Sequence, residues 1–425
     1  MRTWRTTELM LLPFGPALLA VGLATLAIVR RQGVVLGDVA PAVGLGVALL
    51  AAHLLLSRRY PRADQLLLPV AAVLSSVGLI MVDRLAPALA LRQLAWVALG
   101  LGVMLATALL LPSVSWLRRY RYSAAVLGIA LLVVTLVLGV DPNGSGARLW
   151  LGVPDLLFQP SEINKVLLVV FLAGYLEEKR ELLGQLGWRI GPIRLPPLVY
   201  LGPLLVMWGL SLAVLVWQRD LGATLLFFGI FLAMLYMATA RTSYVVAGLA
   251  LLVLGAVFCY QAFAHVRVRV DVWLNPWSDP AESGYQLVQA LMALASGGVL
   301  GAGLAHGYPL YIPAVHTDFA IAAIGEELGL AGSLAIVALY LVLVHRGYRI
   351  ALQAVDGFSQ LLAAGLTTVL GLQALVILAG TTRLIPVTGI TLPFVSYGGS
   401  SLLTNFIIVG LLLRVSAERV GAGGG

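Results

Sequence analysis

Charged residues and cysteine are scarce in this chain of 425 residues. Only 11% of the residues are Asp, Glu, Lys or Arg, 60% are hydrophobic, and Cys259 is the single cysteine. A water-soluble globule of this length cannot hide so much apolar surface, so the composition excludes a soluble enzyme. One cysteine inside an apolar stretch excludes an intrachain disulfide as well, and packing must order the exported loops.

Signatures of nucleotide and metal sites are missing too. The sequence has no P-loop, no dinucleotide-binding glycine motif, no cysteine pair and no His-Glu-x-x-His. The net charge of +8 needs no partner beyond anionic lipid, so we expect no nucleotide cofactor and no nucleic acid. The glycine-rich stretch Gly297–Gly303 favours close helix packing or a re-entrant turn over a phosphate-binding loop.

Long apolar runs dominate instead and predict an all-α polytopic membrane protein. A spanning helix needs about 20 mostly apolar residues. Turn signals separate about a dozen such runs: Met10–Val29, Val35–Leu56, Gln65–Val82, Gln93–Leu111, Ala124–Val140, Ile163–Leu176, Leu198–Val216, Leu221–Met237, Tyr244–Phe263, Phe319–Val344, Leu361–Ala379 and Leu402–Leu413.

Basic residues predict the orientation. An even number of spans places both termini on one side, and most of the 27 Lys and Arg residues fall on that side, so we expect both termini in the cytoplasm. The segments that are not spans then face outward, and so does any active site. They are Asp141–Ser161, Gln218–Asp220, His265–Thr317 and Thr381–Ser401.

Asp220 draws attention because Gln218-Arg219-Asp220 alone interrupts two long apolar runs. Ionisable groups at a membrane edge are costly and usually functional. A turn closed by a local Arg219–Asp220 pair is the structural alternative, and the lack of any loop around the pair favours function.

Two further pairs of ionisable residues lie near the outer ends of spans. Pro160 suits a helix start, which would put Glu162 and Lys165 three residues apart on one face, as a local ion pair or as part of a site. Glu326 and Glu327 are adjacent on a helix, so at most one of them can easily serve a single site. Holding the ends of broken helices is an equally good role for them.

The segment Pro386–Ser401 contains two prolines, a glycine pair and several hydroxyls. Broken helices at membrane depth are tolerated where they line a cavity or are covered by protein. We therefore predict a cavity wall here.

Taken together, the motifs resemble the SEDS family (shape, elongation, division and sporulation). The resemblance covers roughly Gln65 to Arg414. Its ordered pieces are Arg148-Leu149-Trp150, Phe158-Gln159-Pro160-Ser161-Glu162 with Lys165, Gln218-Arg219-Asp220-Leu221-Gly222, Trp273 through Gln286, Ala314 to Phe319, Gly325 to Gly329, and Pro386 to Ser401. The chain departs from the family at Arg219, where proline is frequent, and at Ala314, where an acidic residue is common.

The resemblance implies a ten-helix core, to which this chain adds about two N-terminal helices. The expected organisation is two extra transmembrane helices at 1–60, a core at 61–420 with a large extracellular loop at 265–317, and a disordered tail at 421–425.

The resemblance also implies a peptidoglycan glycosyltransferase that polymerises lipid II at the outer leaflet and serves cell shape, elongation or division. Asp220 is the expected general base for the attacking sugar hydroxyl. Cations would offset the charge of the pyrophosphate leaving group, and a divalent ion, Mg²⁺ or Mn²⁺, is a further candidate. The predicted substrate-binding residues are Arg148, Glu162, Lys165, Arg219, His316, Asp318, Glu326, Ser396, Ser400 and Ser401.

Two other functions stay open from the sequence. A lipid II flippase would also need a polytopic bundle with broken helices and charges at membrane depth. A non-catalytic scaffold of the cell-wall machinery would keep the packing motifs without needing Asp220. The resemblance implies one protein partner, a class B penicillin-binding transpeptidase.

Overall fold

The protein is a helical bundle. A computed structural model describes residues 5–31, 33–141, 144, 146–153, 156–184, 189–190, 193–194 and 198–421. The helices are α1 (Thr6–Leu11), α2 (Phe14–Arg31), α3 (Leu36–Arg59), α4 (Leu67–Leu85), α5 (Pro87–Leu110), α6 (Ser115–Arg119), α7 (Arg121–Leu138), α8 (Pro160–Gly184), α9 (Leu198–Trp217), α10 (Leu221–Thr239), α11 (Thr242–Ala262), α12 (Ala264–Leu274), α13 (Tyr285–Ser296), α14 (Ala320–Leu352), α15 (Gly357–Thr381) and α16 (Gly399–Gly421).

Strands are few and short. Two antiparallel pairs are formed by β1 (Leu151–Val153) with β2 (Leu156–Phe158) and by β3 (Arg189–Ile190) with β4 (Ile193–Arg194). The predicted outer loop 265–317 contains α12, α13 and two single 3₁₀ turns, so much of it is helical. The predicted tail 421–425 lies outside the described residues except for Gly421.

Each of the predicted spans corresponds to one long helix. Ten helices in the described part of the chain are long and apolar enough to cross a membrane. The other two long helices are α8, which carries Glu162, Lys165 and a charged C-terminal end, and α9, whose qualifying apolar stretch is the shorter Leu205–Trp217. The chain is therefore a multi-pass membrane protein.

The starts of α8 and α10 follow local sequence signals. Pro160 opens α8 and places Glu162 in its first turn, where the helix dipole favours an acid. Asp220 is the N-cap of α10, and its carboxylate accepts a hydrogen bond of 2.9 Å from the Ala223 amide. These two helix starts determine where the side chains of Glu162 and Asp220 lie.

The glycine-rich stretch packs against a break in α14. Gly329 interrupts the helix at φ 68°. Just before this break, the backbone carbonyls of Glu326 and Glu327 accept 2.9 Å bonds from the amides of Ala302 and Gly303, respectively. A Cβ on Gly301 would lie 2.3 Å from the Glu327 carbonyl oxygen. The prediction of close packing is confirmed, and glycine is required because the two backbones touch.

The first helices join the core through buried charges. Arg5, Glu8 and His53 are fully buried, Arg5 is paired with Glu8, and His53 Nδ1 lies 2.8 Å from the other oxygen of Glu8. Arg5 also donates to the carbonyl of Asp64, whose side chain is paired with Arg346 of α14. Helices α1 and α3 are thus tied to the residue Asp64, which precedes α4, and through Asp64 to α14.

Removing Glu8 should loosen this attachment strongly. Glu8→Ala leaves the Arg5 guanidinium buried without its carboxylate, which costs about 3–5 kcal/mol. Arg31→Ala is the matched control, since it breaks the Arg31–Asp38 pair, in which the arginine is 59% exposed, and such pairs contribute at most about 1 kcal/mol. Thermal unfolding of the purified protein in detergent measures both, and equal melting temperatures for the two variants would contradict the buried attachment.

Candidate functional site

The segment Pro386–Ser401 forms a wall whose polar backbone is satisfied by its neighbours. Gln373 Nε2 donates a 2.7 Å bond to the Thr391 carbonyl, and the Tyr340 hydroxyl donates a 2.5 Å bond to the Pro393 carbonyl. Ser396 Oγ donates to the Thr317 carbonyl, and the Tyr397 amide donates a 2.8 Å bond to the His316 carbonyl. The last two bonds attach the wall to the loop that precedes α14.

A cavity of about 430 Å³ lies beside this wall. That volume falls in the range of ligand-binding clefts, roughly 300–1,000 Å³. Residues of Pro386–Ser401 also line this cavity, among them Gly389 to Thr391 and Tyr397 to Ser401, so the prediction of a cavity wall is confirmed. Five of the predicted site residues line it. The five are Glu162, His316, Asp318, Ser400 and Ser401.

Four polar or aromatic residues of this cavity were missed from the sequence: Arg92, Trp96, Asp141 and Gln159. Arg92 and Trp96 come from α5, which reads as an ordinary apolar span. Only the interrupting Arg92 and Gln93 could have signalled a polar face there. Asp141 stands alone at the end of α7, with no neighbouring motif to mark it.

Glu162 and Lys165 form the predicted ion pair. Lys165 Nζ lies 2.6 Å from the Glu162 carboxylate and 2.7 Å from Gln373 Oε1. Lys165 is 2% exposed and does not line the cavity, whereas Glu162 does. The lysine therefore holds Glu162 at the cavity edge and braces α8 against α15.

Asp220 lies behind the cavity lining. Its carboxylate accepts hydrogen bonds from the Ala223 amide, from Ser161 Oγ at 3.2 Å and from Gln159 Nε2 at 3.4 Å. Burial raises the pKa of Asp220, the three hydrogen bonds act against that rise, and the nearby Glu162 charge adds to it. Asp220 thus caps α10 and orients Gln159, which does line the cavity.

Asp318 is placed differently from Asp220. It lines the cavity and is partly exposed, at the end of the loop held by Ser396 and Tyr397. Burial raises the pKa of Asp318 to about 6, against a hydrogen bond from Thr317 and the charge of Arg269, which lower it. A carboxyl with this pKa is largely ionised at neutral pH and still basic enough to accept a proton.

The remaining predicted residues do not line the cavity. Arg148 and Arg219 are exposed beside it, and Arg219 takes a left-handed φ of 64°. Proline cannot adopt that φ, so the turn before Asp220 differs in shape from one that carries proline. A Cβ on Gly146 would lie 2.9 Å from the Arg219 guanidinium, which places this cation against the loop at the cavity mouth.

Glu326 and Ser396 have structural partners. The Glu326 carboxylate accepts a 2.7 Å bond from the Tyr308 amide, and Glu327 accepts bonds from Arg84 and the Ala305 amide. Ser396 Oγ also accepts a 3.0 Å bond from the Leu392 amide. Glu326 therefore holds the loop that precedes α14 through the Tyr308 amide, and its contact with substrate stays a prediction.

A second cavity of about 160 Å³ adjoins the first. Its lining includes Arg269 and Trp273 of α12 and Gln286 of α13, and it shares Asp318 and Gly389 with the main cavity. Arg269 Nη1 donates to the carbonyls of Val387 and Thr388 at 3.1 and 3.2 Å. No sequence motif marks Arg269, since its partners are more than 100 residues away along the chain.

The described residues contain no group of three His, Cys, Asp or Glu side chains that could hold a metal ion. The carboxylates present at the main cavity are Asp141, Glu162 and Asp318. They do not converge as a ligand set, so we derive no step through a metal.

A family model described as cell cycle protein, covering FtsW, RodA and SpoVE, matches residues 46–420. The chain belongs to this family. The peptidoglycan glycosyltransferase RodA of Mycobacterium tuberculosis is 40% identical over 426 residues, covering 97% of this chain and 91% of that protein. The probable peptidoglycan glycosyltransferase FtsW of Geobacter sulfurreducens is 35% identical, covering 85% of this chain and 97% of that protein.

Solved structures share the fold. One match has a TM-score of 0.68 and 29% identity, and it covers 84% of this chain and 98% of that one. It comes from a structure on the structural coordination of polymerization and crosslinking by a peptidoglycan synthase complex. The rod shape determining protein RodA of Thermus thermophilus matches with a TM-score of 0.60 and 26% identity, covering 84% and 97%. The alignment with the mycobacterial protein covers 97% of this chain, so it includes the first two long helices, α2 and α3.

Crowding at Gly222 should test how tightly the wall packs on α10. A Cβ there would lie 2.4 Å from Ile390 Cγ2 and 2.6 Å from the Thr388 carbonyl oxygen. Gly222→Ala should therefore destabilise the protein by about 1–3 kcal/mol. Gly209→Ala is the control, because a Cβ at that helical position meets nothing within 4 Å and alanine favours helix by up to about 1 kcal/mol. Melting temperatures in detergent that fall equally for both variants would contradict the packing.

Proposed function

We propose that this chain polymerises lipid II into glycan strands at the outer face of the cytoplasmic membrane, with both termini inside. The class of activity, peptidoglycan glycosyltransferase, is that of relatives 35–40% identical over most of the chain. One observation carries the proposal for this site: a carboxyl with a pKa of about 6, Asp318, stands in the wall of a cavity of about 430 Å³.

Asp318 is the better placed general base. Forming a glycosidic bond requires removal of a proton from the attacking sugar hydroxyl, and the base must reach that hydroxyl. Asp318 is exposed to the cavity, whereas Asp220 is 6% exposed and bound to three donors. The assignment of the base to Asp220 stays a sequence prediction, and the geometry supports a positioning role for Asp220 through Gln159 and the start of α10.

Glu162, which also lines the cavity, supplies a hydrogen-bond acceptor for the sugars. Its pairing with Lys165 orients it. Ser400 and Ser401 add hydroxyls at the start of α16. Ser400 Oγ accepts a 2.9 Å bond from the backbone amide of Gln159. Together they form a polar surface of the kind that sugar hydroxyls bind.

A transpeptidase partner is proposed as well. The solved structure with a TM-score of 0.68 comes from a complex that coordinates polymerization and crosslinking. By that likeness we propose that a class B penicillin-binding protein crosslinks the strands made here.

Replacing the two aspartates separately should distinguish their roles. Asp318→Asn removes the base and should lower the rate of lipid II polymerisation by about 10²-fold or more. Asp220→Asn keeps an acceptor oxygen for the α10 cap, so the loss should be smaller. Gel analysis of polymer made by each purified variant measures this. Full polymer from Asp318→Asn would contradict the assignment, and lipid scrambling by wild-type protein without polymer would favour the flippase.

The polymerisation rate should depend on pH through Asp318. Its pKa is raised to about 6, and the ionised form is the base. The rate should therefore rise with pH through about 6, stay high above it, and fall as pH drops below it. Initial rates between pH 5 and 8 measure the profile. A rate independent of pH across that window would contradict a base with this pKa.

A divalent ion remains a prediction from the sequence. Mg²⁺ is commonly held by one or two carboxylates together with substrate phosphates, so the ion would bind with the substrate and not before it. Treatment with EDTA should then stop polymerisation, and Mg²⁺ or Mn²⁺ should restore it. Unchanged rates in EDTA would refute the prediction.

A further inference from the structure

The two cavities meet at one carboxylate. In the part of the chain that the structure describes, only Asp318 and Gly389 line both of them. A polymerase must hold two substrates on either side of the new bond, a donor with its diphosphate and an acceptor with its hydroxyl. The position of Asp318 between two cavities matches that requirement.

The charges of the two cavities differ. The main cavity is lined by three carboxylates, Asp141, Glu162 and Asp318, and by Arg92. The second cavity is lined by Arg269 and Asp318. A diphosphate is repelled by a surplus of carboxylates and attracted by a guanidinium, so the second cavity suits it better.

The Arg269 guanidinium is fixed at the boundary. Both of its bonds to the Val387 and Thr388 carbonyls come from Nη1. A Cβ on Gly389 would lie 4.0 Å from Nη2 and 3.6 Å from Asp318 Oδ2, so the guanidinium and the carboxylate meet at the same edge of the wall. The Arg269 charge lowers the pKa of Asp318, but among the described residues no carboxylate comes within ion-pair distance of Arg269. The guanidinium therefore has no direct ion pair and can bind an anion beside Asp318.

A second guanidinium, that of Arg219, adds to the positive field near Arg269, and a neutral imidazole, that of His265, lies with them. Burial lowers the pKa of His265, and the charges of Arg219 and Arg269 lower it further, so all three groups are close. His265 Nε2 and Thr388 Oγ1 are buried without a hydrogen-bond partner in the described residues. The Thr388 carbonyl touches both Arg269 and the first turn of α10 at Gly222.

We propose that the second cavity, at Arg269, binds the diphosphate of the lipid-linked donor, while the main cavity binds the acceptor sugar. This inference rests on the proposed function and assigns each substrate to one side of Asp318. It makes Arg269 the residue that offsets the charge of the leaving group, with the Arg219 charge nearby.

The bond changes balance in this arrangement. Asp318 takes the proton of the acceptor hydroxyl, whose oxygen forms a bond to the anomeric carbon of the donor. The bond from that carbon to the diphosphate oxygen breaks, and its electron pair leaves with the diphosphate. Arg269 faces the charge that develops there, and the proton leaves Asp318 to solvent through the cavity.

Binding of a polyprenyl diphosphate tests the inference without polymerisation. The probe is geranylgeranyl diphosphate, added to the purified full chain in detergent and followed by tryptophan fluorescence. Arg269→Gln should weaken binding by on the order of tenfold, the usual effect of losing a charged hydrogen-bond partner. Arg267→Gln is the matched control, because Arg267 is exposed two residues away on α12 and bonds to the Gln261 carbonyl. Its binding should equal that of wild type.

A second variant covers the case in which Arg269→Gln fails to fold. Gln286→Glu adds a negative charge to the lining of the second cavity and leaves the Arg269 bonds intact, and it should weaken binding likewise. Wild-type affinity in both variants, or an equal loss in Arg267→Gln, would overturn the inference. Wild-type protein that polymerises lipid II while these variants bind normally would contradict only the inference, whereas wild-type protein that makes no polymer would contradict the proposed function.

Discussion

The site depends on one constraint: a chain that breaks its helix at membrane depth must satisfy the exposed backbone groups with protein partners. The segment Pro386–Ser401 meets it through Gln373, Tyr340 and its own Ser396. Because Ser396 and Tyr397 bond to the carbonyls of Thr317 and His316, the same constraint fixes the loop that ends at Asp318. The cavity and its carboxyl are therefore consequences of how the break is satisfied.

This arrangement separates the roles of the two aspartates. Asp220 uses its hydrogen bonds to start α10 and orient Gln159, while Asp318 has an open side toward both cavities. Arg269 bonds to the same broken segment, so this cation and the proposed base, Asp318, are held by one wall. Buried charges in the first helices, centred on Arg5 and Glu8, attach the N-terminal pair at a different place, next to α4.

The sequence predicted what depends on neighbouring residues. Hydropathy located all twelve long helices, the i, i+3 spacing located the Glu162–Lys165 pair, and the prolines located the broken wall. It assigned the general base to Asp220 and only substrate binding to Asp318, because exposure to a cavity depends on contacts between distant segments that the sequence does not display. Arg269 was missed for the same reason, and so was the bond from the Tyr308 amide to Glu326.

The central claim is that the glycosidic bond forms at Asp318, between the two cavities. A cryo-electron microscopy structure of the Asp318→Asn protein with lipid II bound tests it most directly. The account predicts the acceptor sugar in the main cavity, with a hydroxyl within hydrogen-bond distance of residue 318, and a diphosphate beside Arg269. Sugars bound against Asp220, with residue 318 out of reach, would contradict it.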